Sequence, residues 1–309
     1  MEIVVEAPAK LNLFFEVLAK RNDGFHEIET LMCPVDLYDT IRFSEDSSGQ
    51  IALACDLDSS AQYSASEGDE SGCTDIESHG GEVDRLPRGP DNLVWRAADL
   101  LRRRAGRELG ARLHLTKRVP AEAGLGGGSS DAAATLLAAN EGWRLGWSRE
   151  ELMPLAAELG SDVPFFLADG AAVCRGRGEQ VEAVEGPEGL HFVIACPPEG
   201  LSTAEVYAAC RPADEPRQVE PLLRALKEGD AERVGQLLFN RLQGVAETLS
   251  PWIERLGSEF AKLDCLGHGM SGSGSSYFAL CRHARHARRI AGRLLANVAC
   301  RAFVVRSCR

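Results

Sequence analysis

Two segments rich in glycine and serine could bind the phosphate groups of a nucleotide. The first, AGLGGGSS at residues 123–130, comes immediately before an alanine-rich stretch with the composition of a helix. Glycines at a helix N-terminus leave backbone N–H groups unpaired, and the helix dipole favours an anion there. The second, MSGSGSSYF at residues 270–278, supplies another set of backbone donors. Either loop alone also fits a flexible turn or a tight strand connection, but the two together favour a polyphosphate ligand.

The first glycine-rich loop matches neither of two widespread nucleotide-binding motifs. It is not a Walker A loop, because no Gly-Lys-[Ser/Thr] follows the glycines. It is not a dinucleotide-binding fingerprint, because the spacing of its glycines differs. If this loop binds phosphate, the protein must therefore belong to another class of phosphate-binding proteins.

Three polar side chains elsewhere in the chain are candidates for a catalytic role. In APAKLNLFF, Lys10 and Asn12 share one face of a predicted strand whose other face is apolar. In ELGSDVPFF, Asp162 lies between a predicted helix end and Pro164. Taken alone, a strand lysine is usually a solvated edge charge, and an aspartate so placed usually caps the following turn. The single residues thus leave structural and catalytic roles open.

Composition and charge exclude several classes of function. The 309-residue chain has a formal net charge of -12, which argues against non-specific binding of nucleic acid. Its ten cysteines show no CxxC pair and no metal-ligand spacing, so neither a cysteine-bound metal nor disulfides are predicted. The N-terminus MEIVV lacks the features of a secretory signal, and no run of about 18 apolar residues occurs. We therefore expect a soluble, cytoplasmic protein that does not contact membranes.

The spacing of apolar residues predicts strands and helices in the first half of the chain. The alanine-rich stretch predicts a helix from Ser129 to Glu141, with Ser129 or Ser130 as its N-cap and Asp131 in its first turn. Strands are predicted at IVVEAP, LNLFFEVLA, TIRFS and ARLHLTKRV, and a further helix at NLVWRAADLLRRRAG.

Local signals fix the ends of two more elements. Ser148 and Glu151 have the spacing of a capping box, which predicts a helix that ends near Gly160 and bends at Pro154. The segment AAVCRGRGEQVEAV predicts a hairpin that turns at residues 176–178.

The second half of the chain begins a new set of strands and helices after GPEG at residues 186–189. A long helical stretch is predicted from Ala231 to Leu249 and a helix from Pro251 to Leu263. Strands are predicted at HFVIAC, YFALC and AFVVRS, with helices at LLRALKEGD and RRIAGRLLANV. These elements predict an α+β protein with two domains, residues 1–188 and 189–309, although the length also permits one long domain.

Residues 56–90 differ in composition from the rest of the chain. They are rich in Ser, Gly, Asp and Glu and poor in apolar residues, so burial cannot offset the entropy of ordering them. The composition predicts a mobile, acidic surface insertion. Docking of a basic partner is the alternative role for such a segment.

Five segments together resemble the GHMP kinase superfamily, which includes galactokinase, homoserine kinase and mevalonate kinase. They are APAKLNLFF, RNDGFHEIETL, PAEAGLGGGSSDAA, GSDVPFF and MSGSGSS. The family pattern PxxxGLGGGSS is met from Pro120 to Ser130, and the signatures PAKLNL and DG[YF]H are met at residues 8–13 and 23–26. The resemblance spans nearly the whole chain apart from the acidic insertion, which is longer than the family pattern.

The resemblance implies a fold and an activity. The fold is the two-domain GHMP kinase fold, with an N-terminal α/β unit that contains a left-handed β-α-β crossover and a C-terminal ferredoxin-like unit. ATP and substrate would bind in the cleft between the units. The combination of PAKLNL, DGFH and GSDVPFF implies transfer of the ATP γ-phosphoryl group to the 2-hydroxyl of the methylerythritol moiety in a cytidine diphosphate conjugate, a step in the non-mevalonate route to isoprenoid precursors. Mg²⁺ would accompany ATP, held by phosphates, water and Ser130.

The resemblance also implies a role for individual residues. Lys10 and Asp162 would form the catalytic pair, in which Asp162 acts as a general base or orients the acceptor hydroxyl. The residues implied for ATP are Lys117, Pro120, Gly124, Leu125, Gly126, Gly127, Gly128, Ser129 and Ser130. The residues implied for the substrate are Asn12, Phe25, His26, Thr203, Tyr207, Gly272, Ser273 and Gly274.

Two alternative functions remain open at the level of sequence. A GHMP kinase for another small alcohol, of the homoserine or phosphomevalonate type, would have no base for Phe25 and His26 to bind. A catalytically silent sensor of nucleotide sugars would keep the fold without turnover, and the presence of both Lys10 and Asp162 argues against it.

Overall fold

The computed structural model describes residues 2–58, 60, 62–63, 86–185 and 189–308. The prediction of a mobile insertion at residues 56–90 therefore falls mostly outside the described residues, except that residues 56 and 57 belong to a strand. The predicted domain junction at residues 186–189 also lies largely outside them.

Two long antiparallel strands form the centre of the first sheet. They are β1 (Glu2–Lys20) and β2 (His26–Asp46), so two strands predicted separately at IVVEAP and LNLFFEVLA are one continuous strand. Register shifts interrupt the β1–β2 ladder between Pro8 and Ala9 and between Asn12 and Phe14. Such bulges reorient the side chains of a strand, and these two flank the position of Lys10.

The remaining strands of the first sheet extend it on both sides. Its order is β3-β4-β2-β1-β8, and the hairpin of β5 and β6 pairs with β2. Strands β3 and β4 are parallel, which requires a crossover connection, and helix α1 lies between them in the chain. The handedness of this connection stays a prediction. Their bounds are β3 Ile51–Leu57, α1 Leu93–Ala105, β4 Gly110–Lys117, β5 Ala172–Gly176, β6 Gln180–Ala183 and β8 Phe239–Asn240.

The second sheet has the order β11-β7-β10-β9, and each neighbouring pair is antiparallel. In chain order this is fourth-first-third-second, the arrangement of a ferredoxin-like unit, as the resemblance implied. The strands are β7 His191–Cys196, β9 Gly267–Met270, β10 Tyr277–Cys281 and β11 Arg301–Arg306. The chain passes from one sheet to the other between residues 183 and 191, while β8 returns to the first sheet. The division at residue 188 stays a prediction.

Helices cover both sheets, and a shared core joins the sheets to each other. Leu11 and Leu13 of β1 belong to the same buried cluster as Phe192, Phe278 and Phe303 of the second sheet. The helices that follow α1 are α2 Gly127–Gly142, α3 Arg149–Leu159, α4 Thr203–Ala209, α5 Glu220–Lys227, α6 Ala231–Leu237, α7 Gln243–Leu249, α8 Pro251–Ala261 and α9 Ala284–Leu295, with a 3-10 helix at Pro164–Leu167.

The helix after the first glycine-rich loop begins earlier than predicted. Gly126, in the left-handed conformation with φ of 73°, is the N-cap of α2, so neither Ser129 nor Ser130 caps it. Asp131 is therefore beyond the first turn, and its side chain is buried. The prediction failed because glycine can supply the N-cap conformation without a capping side chain.

The long helix predicted from residue 231 to residue 249 was also wrong. Helix α6 ends at Leu237, Phe239 and Asn240 pair in parallel with β1, and α7 begins at Gln243. Tertiary pairing with β1 thus overrides a helical pattern of apolar residues. The capping box of α3 with Pro154 inside the helix, and the β5–β6 hairpin, are confirmed.

We predict that Gly142→Ala destabilises the protein because α2 packs directly on the first sheet at this point. A Cβ at Gly142 would overlap with ring atoms of Phe43, which is fully buried and contacts Trp143 edge-on. Overpacking of this kind costs about 1–3 kcal/mol of the free energy of unfolding, measurable by urea denaturation. The matched control is Gly244→Ala in α7, where a Cβ meets no atom within 4 Å. Equal stability of the two variants would contradict the packing argument.

Candidate active site

A cavity of about 1150 Å³ lies where both glycine-rich loops, strand β1 and helix α4 meet. Its lining brings together residues that are far apart in the chain. Those predicted for the site and found in its wall are Lys10, Phe25, His26, Gly124, Gly126, Asp162, Thr203, Tyr207, Gly272, Ser273 and Gly274.

A lysine and a carboxylate meet in this cavity. Lys10 is 3% exposed, and its Nζ lies 3.6 Å from Oδ2 of Asp162, whose side chain is 32% exposed. A solvated edge charge is thus excluded for Lys10. The 3-10 helix after Asp162 has no side-chain cap, so the turn-capping role considered for this aspartate is not observed. A buried ammonium beside an accessible carboxylate is an arrangement that can act on a bound anionic group.

A chain of hydrogen bonds fixes the amide of Asn12 beside the lysine. Nζ of Lys10 donates to Oδ1 of Asn12 at 2.5 Å, and Nδ2 of Asn12 donates to Oγ1 of Thr30 at 2.8 Å. The hydroxyl of Thr30 in turn donates to the carbonyl of Phe14 at 2.7 Å. Since this hydroxyl can donate only once, it must accept from Asn12, and the amide oxygen is left facing Lys10.

The first glycine-rich loop contacts the lysine closely. A Cβ at Gly126 would lie 3.0 Å from Cγ of Lys10 and 2.9 Å from Cζ of Phe166. The backbone N–H of Lys10 also donates to the carbonyl of Leu125 at 2.9 Å. Both Gly124 and Gly126 have φ of 73°, a conformation that glycine adopts without strain.

The two glycine-rich loops are bonded to each other. Oγ of Ser271 donates to the carbonyl of Gly124 at 3.1 Å, and the N–H of Ser276 donates to the carbonyl of Ala123 at 3.0 Å. Nδ2 of Asn240 donates to the carbonyls of Met270 and Gly272, each at 2.8 Å. The loops and Lys10 therefore form one connected wall of the cavity.

Lys117 lies beneath this wall and does not line the cavity. Its Nζ forms buried ion pairs with Asp39 and, at 2.7 Å, with Asp131, and a Cβ at Gly127 would lie 2.8 Å from it. Burial raises the pKa of Asp131 to about 7, against the opposing effect of the Lys117 ammonium. For Lys117 itself, burial lowers the pKa, but the two carboxylates outweigh it and raise the pKa overall. Lys117 thus holds the start of α2 against β2.

The turn between β1 and β2 presents Phe25 and His26 to the cavity. Gly24 adopts φ of 89°, and Oδ1 of Asp23 accepts a hydrogen bond from the N–H of Phe25 at 3.1 Å. The N–H of Arg21 donates to the carbonyl of Phe25 at 2.8 Å. The DGFH motif is explained by this geometry, because Asp23 and Gly24 shape the turn that positions the two aromatic residues.

An aromatic pair closes this end of the cavity. The rings of His26 and Tyr207 have centroids 5.2 Å apart. Burial, with a contribution from Lys20, lowers the pKa of His26, so its imidazole is neutral at pH 7. Helix α4, which carries Tyr207, is linked to the second glycine-rich loop by a hydrogen bond of 2.8 Å between the hydroxyls of Thr203 and Ser273.

The structure leaves some predicted residues off the wall of this cavity and adds others that the sequence analysis missed. Asn12 lies behind Lys10, which donates to its amide oxygen. The remainder lie in or under the first loop: Lys117, Pro120, Leu125, Gly127, Gly128, Ser129 and Ser130. The missed residues are Asn240 and Ser271, which hold the second loop, and Arg177, which lines the cavity. No sequence signal marks Asn240, because its partners are backbone carbonyls.

The described residues contain neither a cluster of metal-binding side chains nor a membrane-spanning helix. Among them, no group of three or more His, Cys, Asp or Glu side chains could hold a metal ion. No helix in the described ranges has the length and apolar character needed to span a membrane.

Family comparisons agree with the motifs. Residues 92–170 match the family of GHMP kinases N terminal domain, and residues 222–300 match GHMP kinases C terminal. A 4-diphosphocytidyl-2-C-methyl-D-erythritol kinase of Pelotomaculum thermopropionicum is 40% identical over 95% of this chain and 94% of its own length. One of Saccharopolyspora erythraea is 38% identical over 97% of this chain and 89% of its own length.

Two solved structures of kinases superpose on nearly the whole chain. The crystal structure of a 4-(cytidine 5'-diphospho)-2C-methyl-D-erythritol kinase superposes with a TM-score of 0.74 at 34% identity, covering 99% of this chain and 100% of its own. Homoserine kinase from Cytophaga hutchinsonii superposes with a TM-score of 0.73 at 20% identity, over 99% of this chain and 95% of its own. The second likeness shows the shared fold alone.

We predict that Lys117→Met costs about 3–5 kcal/mol of the free energy of unfolding, because it leaves two carboxylates buried without their cation. Burial raises the pKa of Asp131, and without the opposing Lys117 ammonium it would rise further, so the folded protein would bind more protons than the unfolded chain. The loss should therefore be smaller at pH 5.5 than at pH 8. Urea denaturation at both pH values measures it, with exposed Lys227→Met as the control. A pH-independent loss would contradict this account.

Proposed function

The chain belongs to the GHMP kinase family, and on this basis we propose that it transfers the γ-phosphoryl group of ATP to the 2-hydroxyl of 4-diphosphocytidyl-2-C-methyl-D-erythritol. The observation that carries the proposal is one cavity that joins a Lys10–Asp162 pair, two glycine-rich loops and an aromatic end at His26 and Tyr207. Such a site has separate places for a transferred phosphoryl group and for a base. The names of the relatives that match over more than nine-tenths of this chain support the same substrate.

ATP binds with its phosphates against the first glycine-rich loop, residues 124–130. Helix α2 begins at Gly127, so its unpaired N–H groups and its positive dipole end face this loop. Gly128 is exposed and Ser129 is half-buried, which leaves their backbone donors accessible. Lys117 contributes indirectly, by fixing the start of the helix that contacts the phosphates.

The residues at the start of α2 also fit a Mg²⁺ ion. Oγ of Ser130 and Oδ1 of Asp131 are buried side-chain oxygens without a hydrogen-bond partner. Mg²⁺ prefers oxygen ligands and is usually held by one or two protein groups together with phosphates and water. Ser130 would hold the ion, and Mg²⁺ bound there would neutralise charge on the transferred phosphate.

Lys10 and Asp162 act on the transferred group. The ammonium of Lys10 stabilises the negative charge on the phosphoryl oxygens, and its position is fixed by Asn12. The carboxylate of Asp162 accepts a hydrogen bond from the 2-hydroxyl, which orients the attacking oxygen, and the proton of this hydroxyl passes to the same carboxylate. Because phosphoryl transfer depends mainly on positioning and charge stabilisation, the fixed geometry around Lys10 supplies most of the effect.

The cytidine diphosphate part of the substrate occupies the other end of the cavity. Neutral His26 has one hydrogen-bond donor and one acceptor for the edge of the cytosine ring, and Phe25 and Tyr207 supply aromatic faces for stacking. Backbone groups of residues 272–274 hold the diphosphate. The hydrogen bond between Thr203 and Ser273 keeps the loop and helix α4 together.

The first test is a substrate panel in the presence of Mg²⁺ and ATP. We expect ADP release with 4-diphosphocytidyl-2-C-methyl-D-erythritol and not with homoserine, mevalonate, phosphomevalonate or galactose. Turnover of another alcohol alone would support kinase activity but refute the assignment of a cytosine-binding site. The absence of ADP release with all five compounds would favour a sensor of nucleotide sugars.

We predict that Asp162→Asn lowers kcat by at least about a hundredfold, because the amide cannot receive the hydroxyl proton and orients it less well. The matched control is Asp169→Asn, an exposed carboxylate of the following loop that pairs with Arg149. Steady-state kinetics with both variants measures the effect, with thermal unfolding to check that each is folded. A kcat near that of the wild type would refute the role of Asp162.

A further inference from the structure

The tip of the β5–β6 hairpin places an arginine in the wall of the cavity. Arg177 lies between Gly176 and Gly178, which adopt φ of 71° and 118°. Its N–H donates to Oε2 of Glu179 at 2.6 Å, a contact within the turn itself. Glycine at both flanking positions permits the tight turn, so the backbone fixes where the arginine side chain starts.

The guanidinium of Arg177 lies over the ring of Phe25. Its Cζ is 4.8 Å from the ring centroid, within the range of a cation–π contact. Within the described part of the chain, the carboxylate within 4 Å of this guanidinium is that of Glu179, whose Oε1 is 3.9 Å from Nε. At 3.9 Å this ion pair is longer than a hydrogen bond, so the guanidinium remains placed over the Phe25 ring.

Phe25 needs such a contact to remain in one orientation. It is 49% exposed at the end of a turn, whereas His26 beside it is buried and contacts Tyr207. A half-exposed phenylalanine would otherwise lose rotamer entropy on stacking against a base. The pKa of Asp23 in this turn is lowered first by the Phe25 N–H, then by Arg21 and also by Arg177.

The hairpin tip also lies next to the catalytic carboxylate. A Cβ at Gly178 would lie 3.6 Å from Oδ1 of Asp162 and 3.5 Å from the carbonyl of Ser161. One short turn therefore contacts both the residue assigned to phosphoryl transfer and the ring assigned to the base. The distance between the two ends of the substrate site is set in part by this hairpin.

We propose that Arg177 is a positioning residue that holds the ring of Phe25 in place for stacking and thereby sets the affinity for the cytidine part of the substrate. This inference rests on the proposed function. The competing role is direct contact with the diphosphate, since a guanidinium matches phosphate oxygens in a bidentate geometry. The positioning role affects binding of the cytosine, whereas direct contact would affect binding of the diphosphate.

Steady-state kinetics of Arg177→Ala tests the positioning role. The KM for 4-diphosphocytidyl-2-C-methyl-D-erythritol should rise by about threefold to tenfold, the range of one partly exposed cation–π contact. The kcat and the KM for ATP should be unchanged, and Arg177→Lys should restore part of the loss because an ammonium also binds an aromatic face. The matched control, Arg175→Ala, lies on the same hairpin but pairs with Glu29 and Glu182 outside the cavity; its KM should equal that of the wild type.

A double-mutant cycle with Phe25→Ala separates the two roles. In the Phe25→Ala background, Arg177→Ala should have no further effect on KM. Calorimetry should show that Arg177→Ala lowers the binding affinity for cytidine, CMP and CDP by the same factor. An undiminished effect without Phe25, a loss that grows with the number of phosphates, or a fall in kcat alone would overturn the proposal.

A measurement of cytidine binding by the wild type separates failure of this inference from failure of the proposed function. If the wild type binds cytidine but does not turn over the cytidyl substrate, the proposed reaction fails, while calorimetry of cytidine binding by the single and double variants still tests Arg177. If the wild type binds none of the cytidine ligands, the role of Arg177 fails with it.

Discussion

The buried ammonium of Lys10 is the constraint on which the rest of the site depends. An ammonium that is 3% exposed has lost most of its hydration, so the fold must supply partners in place of water. Asn12 and Asp162 supply them, one from the same strand and one from the loop after α3. Because Asp162 is partly exposed to the cavity, it can exchange this contact for one with a bound substrate. The same two partners that stabilise the lysine therefore also leave its charge available.

The close packing around this lysine explains why both loops are rich in glycine. Side chains at Gly124 or Gly126 would overlap with the second loop or with Lys10 itself. The absence of side chains lets the loop backbones approach the lysine and each other, which concentrates N–H groups around one cavity. Rigidity comes from hydrogen bonds donated by Ser271 and Asn240 to loop carbonyls. Side-chain hydrogen bonds thus hold the glycines of both loops in a fixed arrangement.

Much of the fold, and many of the residues that meet in the cavity, followed from the sequence, because the motifs carry their own geometry. The DGFH turn depends on contacts within five residues, and the capping box of α3 is likewise local. Predictions failed where distant residues decide the outcome. The helical pattern of residues 231–249 is interrupted by pairing with β1, and α2 begins at Gly126 because the loop takes a left-handed conformation there. Arg177 gave no signal, since a hairpin arginine is ordinarily a surface charge.

The short strand β8 has a consequence for the order in which the protein can assemble. Strand β1, which carries Lys10, pairs with residues 239–240, and its fully buried Glu16 bonds to the side chain of Arg241 at 2.7 Å and 2.8 Å. During synthesis on the ribosome, this carboxylate has no cation to pair with until residue 241 has emerged. Burial of an unpaired carboxylate is costly, so a chain that lacks residue 241 would bury Glu16 only at a penalty in stability. The strand that carries Lys10 therefore depends on the C-terminal half of the chain for the stability of its buried position.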